Sequence, residues 1–85
     1  MKIKFKWIGW NIEHIAEHGV TPEEAESVFN QLVQGYPRRK KDYYMVWGKS
    51  YLDQWLQLAF AKEDNGRYFI FHARPLTVRE RRRIK

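Results

Sequence analysis

The segment from Arg67 to Arg83 constrains this chain more than any other. An apolar strand over Arg67 to Arg74 delivers His72 and Arg74 to its carboxyl end. Pro75, which has no N–H to give to a ladder, halts it. A helix starts at once, because Thr77 and Glu80 form a capping-box pair in which the hydroxyl accepts from the Glu80 N–H and the carboxylate from the Thr77 N–H. His72, Arg74 and the guanidiniums of Arg79, Arg81, Arg82 and Arg83 are thereby confined to one end of the fold. That chemistry suits a phosphate-rich partner better than a small neutral metabolite.

The strands that must pair with this one lie directly upstream. Tyr43 to Trp47 is aromatic and β-branched, ending near Gly48-Lys49, and Trp55 to Lys62 is a further apolar run. Asp64-Asn65-Gly66 joins that run to the last strand and predicts a type I′ hairpin. Ser50 to Gln54 is a connection with room for a helical turn. Arg38-Arg39-Lys40-Lys41 is a loop or the frayed start of a strand, because four like charges repel within a regular element.

The amino-terminal part is different in kind. Ile3, Phe5 and Trp7 alternate with Lys2, Lys4 and Lys6, the period of a half-buried strand whose lysines protect an edge. Asn11 is the expected cap of a short helix carrying Ile12, Ile15 and Ala16, ended at His18-Gly19. Thr21-Pro22-Glu23-Glu24 opens a second helix with Ala25, Val28, Phe29, Leu32 and Val33 as its core stripe, closed by Gly35 and Pro37. The order is β-α-α-β-β-β-α. It predicts one α+β domain over residues 1–85: a four-stranded, mainly antiparallel sheet, two early helices on one face and a short basic C-terminal helix. If those helices pack on Phe69, Phe71 and Ala73, then Tyr68, His72 and Arg74 lie on the open face. Ile70 and Tyr68 would also suit a core, so both assignments stand.

Eighty-five residues leave a small core, and fourteen aromatic side chains enlarge it. Without cysteine there is no disulfide framework and no thiolate metal site, and no run is apolar enough for a signal peptide or a membrane span. A cytoplasmic protein is expected. The net charge of +6 is uneven. Residues 1–37 hold three lysines against five glutamates, a balance of −2, and residues 38–85 hold 13 Lys and Arg against five acids, a balance of +8. One end should attract polyanions; the plainer reading is a solvated surface.

Several words of the sequence resemble the BrnT family of type II toxin–antitoxin ribonuclease toxins. They are Phe5-Lys6-Trp7, the run His18 to Ala25 with Val28-Phe29, Gly48-Lys49, and Ala73-Arg74 followed by Thr77 and Glu80-Arg81-Arg82. They occur in the family's order along nearly the whole chain. The resemblance implies a RelE-like fold, mRNA cleavage that inhibits translation, sometimes on the ribosome, and neutralisation by a ribbon-helix-helix antitoxin. No cofactor is implied.

Metal-independent RNA cleavage needs a base near neutrality for the 2′-OH and fixed cations for the phosphate. His72 is the candidate base, because His14 and His18 fall in the helical region. Arg74 is the candidate phosphate clamp, with Lys49 as helper. Glu80 is either a base or the group that orients Arg74, beside its capping role. Arg38, Arg39, Lys40, Lys41, Arg79, Arg81, Arg82 and Arg83 are candidate RNA contacts, and Tyr68 a candidate stacking residue. His14 and His18, at i and i+4, suit a metal only with a third ligand. The alternative to an enzyme is a non-catalytic module on the same fold that binds nucleic acid or a partner protein. A further reading makes the basic end the seat of an acidic antitoxin segment.

Overall fold

The computed structural model describes residues 3–84, arranged about a four-stranded antiparallel sheet in which each strand pairs with its neighbour in sequence. The strands are β1 (Arg38–Arg39), β2 (Tyr44–Lys49), β3 (Trp55–Lys62) and β4 (Tyr68–Pro75). Two helices precede them, α1 (Gly9–Ala16) and α2 (Pro22–Ser27), the latter prolonged by a 3-10 turn, Val28–Asn30. A single helical turn, α3 (Val78–Arg81), follows. The α+β class, the three long strands and the closing helix agree with expectation. No helix among the described residues is long and apolar enough to cross a membrane.

The fourth strand is not the expected one. Instead of a strand over Ile3 to Trp7 there is one parallel bridge, Phe5 to Tyr68, in which the Lys6 N–H donates to the Tyr68 carbonyl (3.0 Å) and the Tyr68 N–H to the Lys4 carbonyl (2.8 Å). Lys2 lies outside the described residues. Asn11 explains why the pairing stops. A longer ladder would join the Ile8 N–H to the Ile70 carbonyl; instead the Ile8 N–H donates to Asn11 Oδ1 (2.8 Å), and Asn11 Nδ2 donates to the carbonyls of Ile70 (2.9 Å) and Lys6 (3.0 Å). Asn11 is therefore not the helix cap but its third residue, wholly buried. One side-chain amide replaces a backbone pair, and the chain turns away into α1. Gly19, at φ 75°, closes that helix as expected.

The second helix also ends sooner than its apolar stripe predicts. After Asn30 the chain extends, and Leu32 bridges Gly48, with Val33 N–H donating to the Trp47 carbonyl (2.8 Å) and Lys49 N–H to the Gln31 carbonyl (3.0 Å). These bonds satisfy backbone groups on the outer edge of β2 that helix would leave unpaired. The approach depends on Gly48: a Cβ there would stand 2.7 Å from the Gln31 carbonyl oxygen and 2.7 Å from Val28 Cγ1.

One sheet face carries the core. Ile15, Val20, Ala25 and Val28 pack on Val46, Leu56, Leu58, Phe60, Ile70 and Ala73, all nearly inaccessible. Each such side chain contributes about 1.5–3 kcal/mol by leaving water. The β2–β3 and β3–β4 hairpins are tight and share a design, a β-turn followed by a residue with positive φ: Asp53 (60°) after Ser50, and Gly66 (86°) after Glu63. Of the loop residues Asp64, Asn65 and Gly66, only Gly66 has positive φ, so the hairpin is not the expected type I′. Nor does Ser50 to Gln54 hold a helical turn.

Candidate nucleic-acid interface

A β-bulge decides which β4 side chains face away from the core. Phe60 pairs with Ile70 and Ala59 with His72, so Phe71 is the extra residue and the alternation along β4 reverses there. Ile70 before the bulge and Ala73 after it thus both enter the core. The helices bury these two residues and not the phenylalanines, of which Phe69 only meets the Trp10 ring of α1 (6.1 Å). His72 and Arg74 reach the other face, as expected, but for a different reason, and Tyr68 does not join them. Its ring stacks on Phe60 (4.2 Å between centroids, 16°) and meets Phe29 and Phe5, so it belongs to the aromatic edge of the core and not to the His72 face.

Register then defines the face opposite the core. Met45, Ala59 and His72 lie side by side on β2, β3 and β4, as do Trp47, Gln57 and Arg74 in the next row. Arg38 of β1 extends the first row beside Met45. Tyr36 stacks on Trp47 (5.3 Å, 15°), and the Arg38 guanidinium sits 4.8 Å above Tyr36. Trp47 Nε1 donates to Gln57 Oε1 (2.9 Å). Arg38 and Arg74 thus stand at opposite sides of a surface that also carries Tyr36, Trp47 and Gln57.

His72 is half-buried at one end of it. Burial holds its pKa below the ordinary 6.5, and the positive charges of Arg74, His18 and His14 add to the effect. The sequence separates His14 and His18 from His72 by more than fifty residues, yet α1 lies along β4 and brings all three together. The His18 and His72 rings are 6.1 Å apart, and His14 stacks on Trp10 (5.0 Å, 7°). The residues at i, i+4 and i+8, Trp10, His14 and His18, form a stripe on one side of α1 and its C-terminal turn; that spacing was the available signal. Among the described residues no group of three His, Cys, Asp or Glu side chains is disposed to hold a metal ion.

Arg74 is engaged. Its Nη1 and Nη2 donate to Glu80 Oε1 (2.9 Å) and Oε2 (2.8 Å), and Nη1 also reaches the Pro75 carbonyl (3.0 Å). Glu80 completes the expected capping box with Thr77: its Oε1 accepts from the Thr77 N–H (2.8 Å), and the Glu80 N–H donates to Thr77 Oγ1 (3.1 Å). Hydrogen bonds from Arg74, then from the Thr77 backbone, pull the Glu80 pKa down to about 2. Glu80 is thus a fixed anion that orients Arg74, and not a base at neutral pH.

The remaining cations are dispersed. Lys49, one row beyond Trp47, pairs with Asp53 (3.3 Å) and lies 5.6 Å from the Trp55 ring, away from His72. Arg38 faces this surface, but Arg39 leans over Tyr44 on the core side (5.8 Å), so the basic run is divided between the faces. Lys40 and Lys41 are exposed in the turn before β2. Arg79, Arg81, Arg82 and Arg83 are exposed on α3 and just after it, with Arg81 and Arg82 bordering a cleft beside Trp55.

Between α1 and the sheet runs a groove of about 450 Å³, bordered by Trp10, His14, Tyr43, Gln57, Phe71 and His72 over a floor of Met45 and Ala59. Of these only His72 figured among the expected site residues. Comparison with known protein families, with curated proteins and with solved structures finds no match to this chain in any of the three.

Proposed function

We propose that this protein is an RNA-directed endoribonuclease of the BrnT-like, RelE-like toxin type, cutting mRNA without a metal and held inactive by a ribbon-helix-helix antitoxin. The observation that carries this reading is His72: an imidazole whose pKa is held below 6.5 by burial and by neighbouring cations, on the sheet face opposite the core, beside α1, that also displays Arg74 and Arg38. A neutral imidazole at physiological pH is the form a general base requires. In the reaction His72 takes the 2′-OH proton as O2′ attacks phosphorus, and the bond from phosphorus to O5′ breaks. His18, whose ring lies 6.1 Å from that of His72, is the group placed to return a proton to the leaving oxygen. The products are a 2′,3′-cyclic phosphate and a 5′-hydroxyl. Arg74 stabilises the charge on the phosphorane once Glu80 yields part of its hold.

The test is purified protein incubated with end-labelled RNA in EDTA. Cleavage to 2′,3′-cyclic phosphate ends, abolished in His72→Ala and reduced at least tenfold in His18→Ala, supports the reading; RNA intact at every protein concentration sinks it. The saturated Arg74–Glu80 pair favours a second reading, a non-catalytic module that binds nucleic acid or a partner on the same fold. It predicts salt-dependent RNA binding without cleavage, and no effect on growth when the protein is induced.

A further inference from the structure

The geometry points to the groove beside His72 as a subsite for one unstacked base of single-stranded RNA, selective for bases that carry a ring carbonyl. This deepens the proposal above and rests on its premise that the His72 face binds RNA.

Three observations meet there. The first is shape: at about 450 Å³ the groove lies near the lower end of the roughly 300–1,000 Å³ that ligand sites span, room for a nucleoside and not for a folded element. The second is its walls. Trp10, its ring stacked with His14 and Phe69, is still 56% exposed, and Tyr43, which meets Phe71 edge to face, is 36% exposed; both rings border the groove, and Tyr43 is the one on which a base would stack. Single exposed aromatics are ordinary, but two on one concave site beside a cationic face match the pattern of single-strand binders.

The third is an oriented amide. Because the Trp47 indole N–H can only donate, its 2.9 Å bond fixes the Gln57 oxygen toward Trp47 and assigns the amide nitrogen to the opposite side. No protein acceptor meets that nitrogen among the described residues, and none of their buried side-chain polar atoms is left without a partner, so it is open to solvent. Gln57 borders the groove, and His72 is its diagonal neighbour on β4. The site thus presents two amide donors next to an imidazole that, when neutral, both donates and accepts. Uracil, cytosine and guanine answer this with a carbonyl oxygen beside a ring nitrogen. Adenine has no carbonyl, so the amide N–H groups would meet only a ring nitrogen.

The experiment separates binding from cleavage by using 2′-O-methyl RNA, which cannot form the cyclic phosphate. Fluorescence anisotropy is read for labelled oligouridine, oligocytidine, oligoadenosine and an abasic strand of the same length, at several salt concentrations. The inference expects uridine and cytidine strands to bind about fivefold or more tighter than the abasic strand, and tighter than adenosine. Gln57→Glu keeps the acceptor for Trp47 but loses both donors, and should bring the uridine-to-adenosine ratio to about one. Tyr43→Ala should remove most of the difference from the abasic strand while leaving the salt dependence unchanged. RNA binding that ignores base identity, or a ratio unmoved by Gln57→Glu in a folded protein, overturns the subsite and leaves the RNA-directed reading standing. Absence of RNA binding even at low salt overturns both.

Discussion

Arg74 grips Glu80 with both arms of its guanidinium, at 2.9 and 2.8 Å, and the same carboxylate caps α3 through the Thr77 N–H. The pair joins the end of β4 to the basic helix and occupies the face of Arg74 that a phosphate would take. Glu80→Gln preserves the cap, since an amide oxygen still accepts from Thr77, and removes the charge. We expect a loss of about 1 kcal/mol or less in urea unfolding, because the pair is partly solvated. RNA affinity should rise, with the slope of log K against log salt steeper by roughly 0.7, one further phosphate contact. An unchanged slope would mean that Arg74 does not reach RNA even when released.

The same pair sets an acid limit. With its folded pKa drawn from 4.5 to about 2, Glu80 stabilises the protein fully above pH 4.5, and the contribution drains away as pH falls from there toward 2. Wild type and Glu80→Gln should converge in thermal stability over that window; parallel curves down to pH 2 would show the pair to be energetically silent.

His72 titrates in the opposite sense to a histidine that gains an anionic partner. Its folded pKa lies below 6.5, so the folded state resists protonation and His72 costs stability as pH drops below that value. For cleavage, the acid limb of the pH–rate profile should fall below the ordinary histidine value. Arg74→Gln removes one of the positive charges that lower it and should move the limb toward 6.5. A limb at or above 6.5 in the wild type would exclude His72 as the base.

Gly48→Ala tests the crossing of the 3-10 turn over β2. The added Cβ meets backbone oxygens of Gln31 (2.7 Å) and Val28 (2.9 Å), which cannot rotate away. We expect destabilisation of roughly 1–3 kcal/mol in urea unfolding, against no loss, or a gain of up to about 1 kcal/mol, for alanine at the open helical Gly9. Equal effects at the two positions would contradict the close approach.

Asn11→Ala removes the amide that closes the short ladder. The buried Ile70 carbonyl and the Ile8 N–H lose their partner, each worth about 1–3 kcal/mol when left unsatisfied in the interior. Hydrogen exchange at Ile8 and Ile12 should quicken, and the melting temperature should fall by more than for Ile12→Ala, whose side chain is largely exposed. A smaller fall than in Ile12→Ala would deny Asn11 this role.

Ser50→Ala probes a junction that composition conceals. The Ser50 hydroxyl donates to Glu24 Oε2 (2.8 Å) and accepts from the N–H groups of Leu52 and Gln54, tying the first turn of α2 to the β2–β3 hairpin. Both Ser50 and Glu24 are buried. Leaving that carboxylate oxygen without its donor should cost about 1–3 kcal/mol, visible as a lower urea midpoint.

Local signals in the sequence located β2, β3, β4 and α3 within one or two residues, because alternating apolar side chains and a Thr77–Glu80 cap carry their own instructions. The site was legible only in part. His72 and Arg74 could be named because they end a strand beside a basic helix, whereas Gln57 and Tyr43 look like ordinary strand and loop residues. The stripe of Trp10, His14 and His18 was present at helical spacing, but nothing local says which strand a helix lies beside.

What the chain alone determined is where backbone can be regular: the ends of the long strands, the caps at Thr21 and Thr77 and the breaks at Gly19 and Pro75, all governed by interactions within a few residues. What only the tertiary structure decided is which face and which partners. The extra residue at Phe71 reversed the parity of β4, Asn11 ended the first pairing, and Gly48 admitted the turn that cut α2 short. Each depends on an atom from a distant segment filling a hydrogen bond or a space, and such matches exist only once the chain has closed on itself.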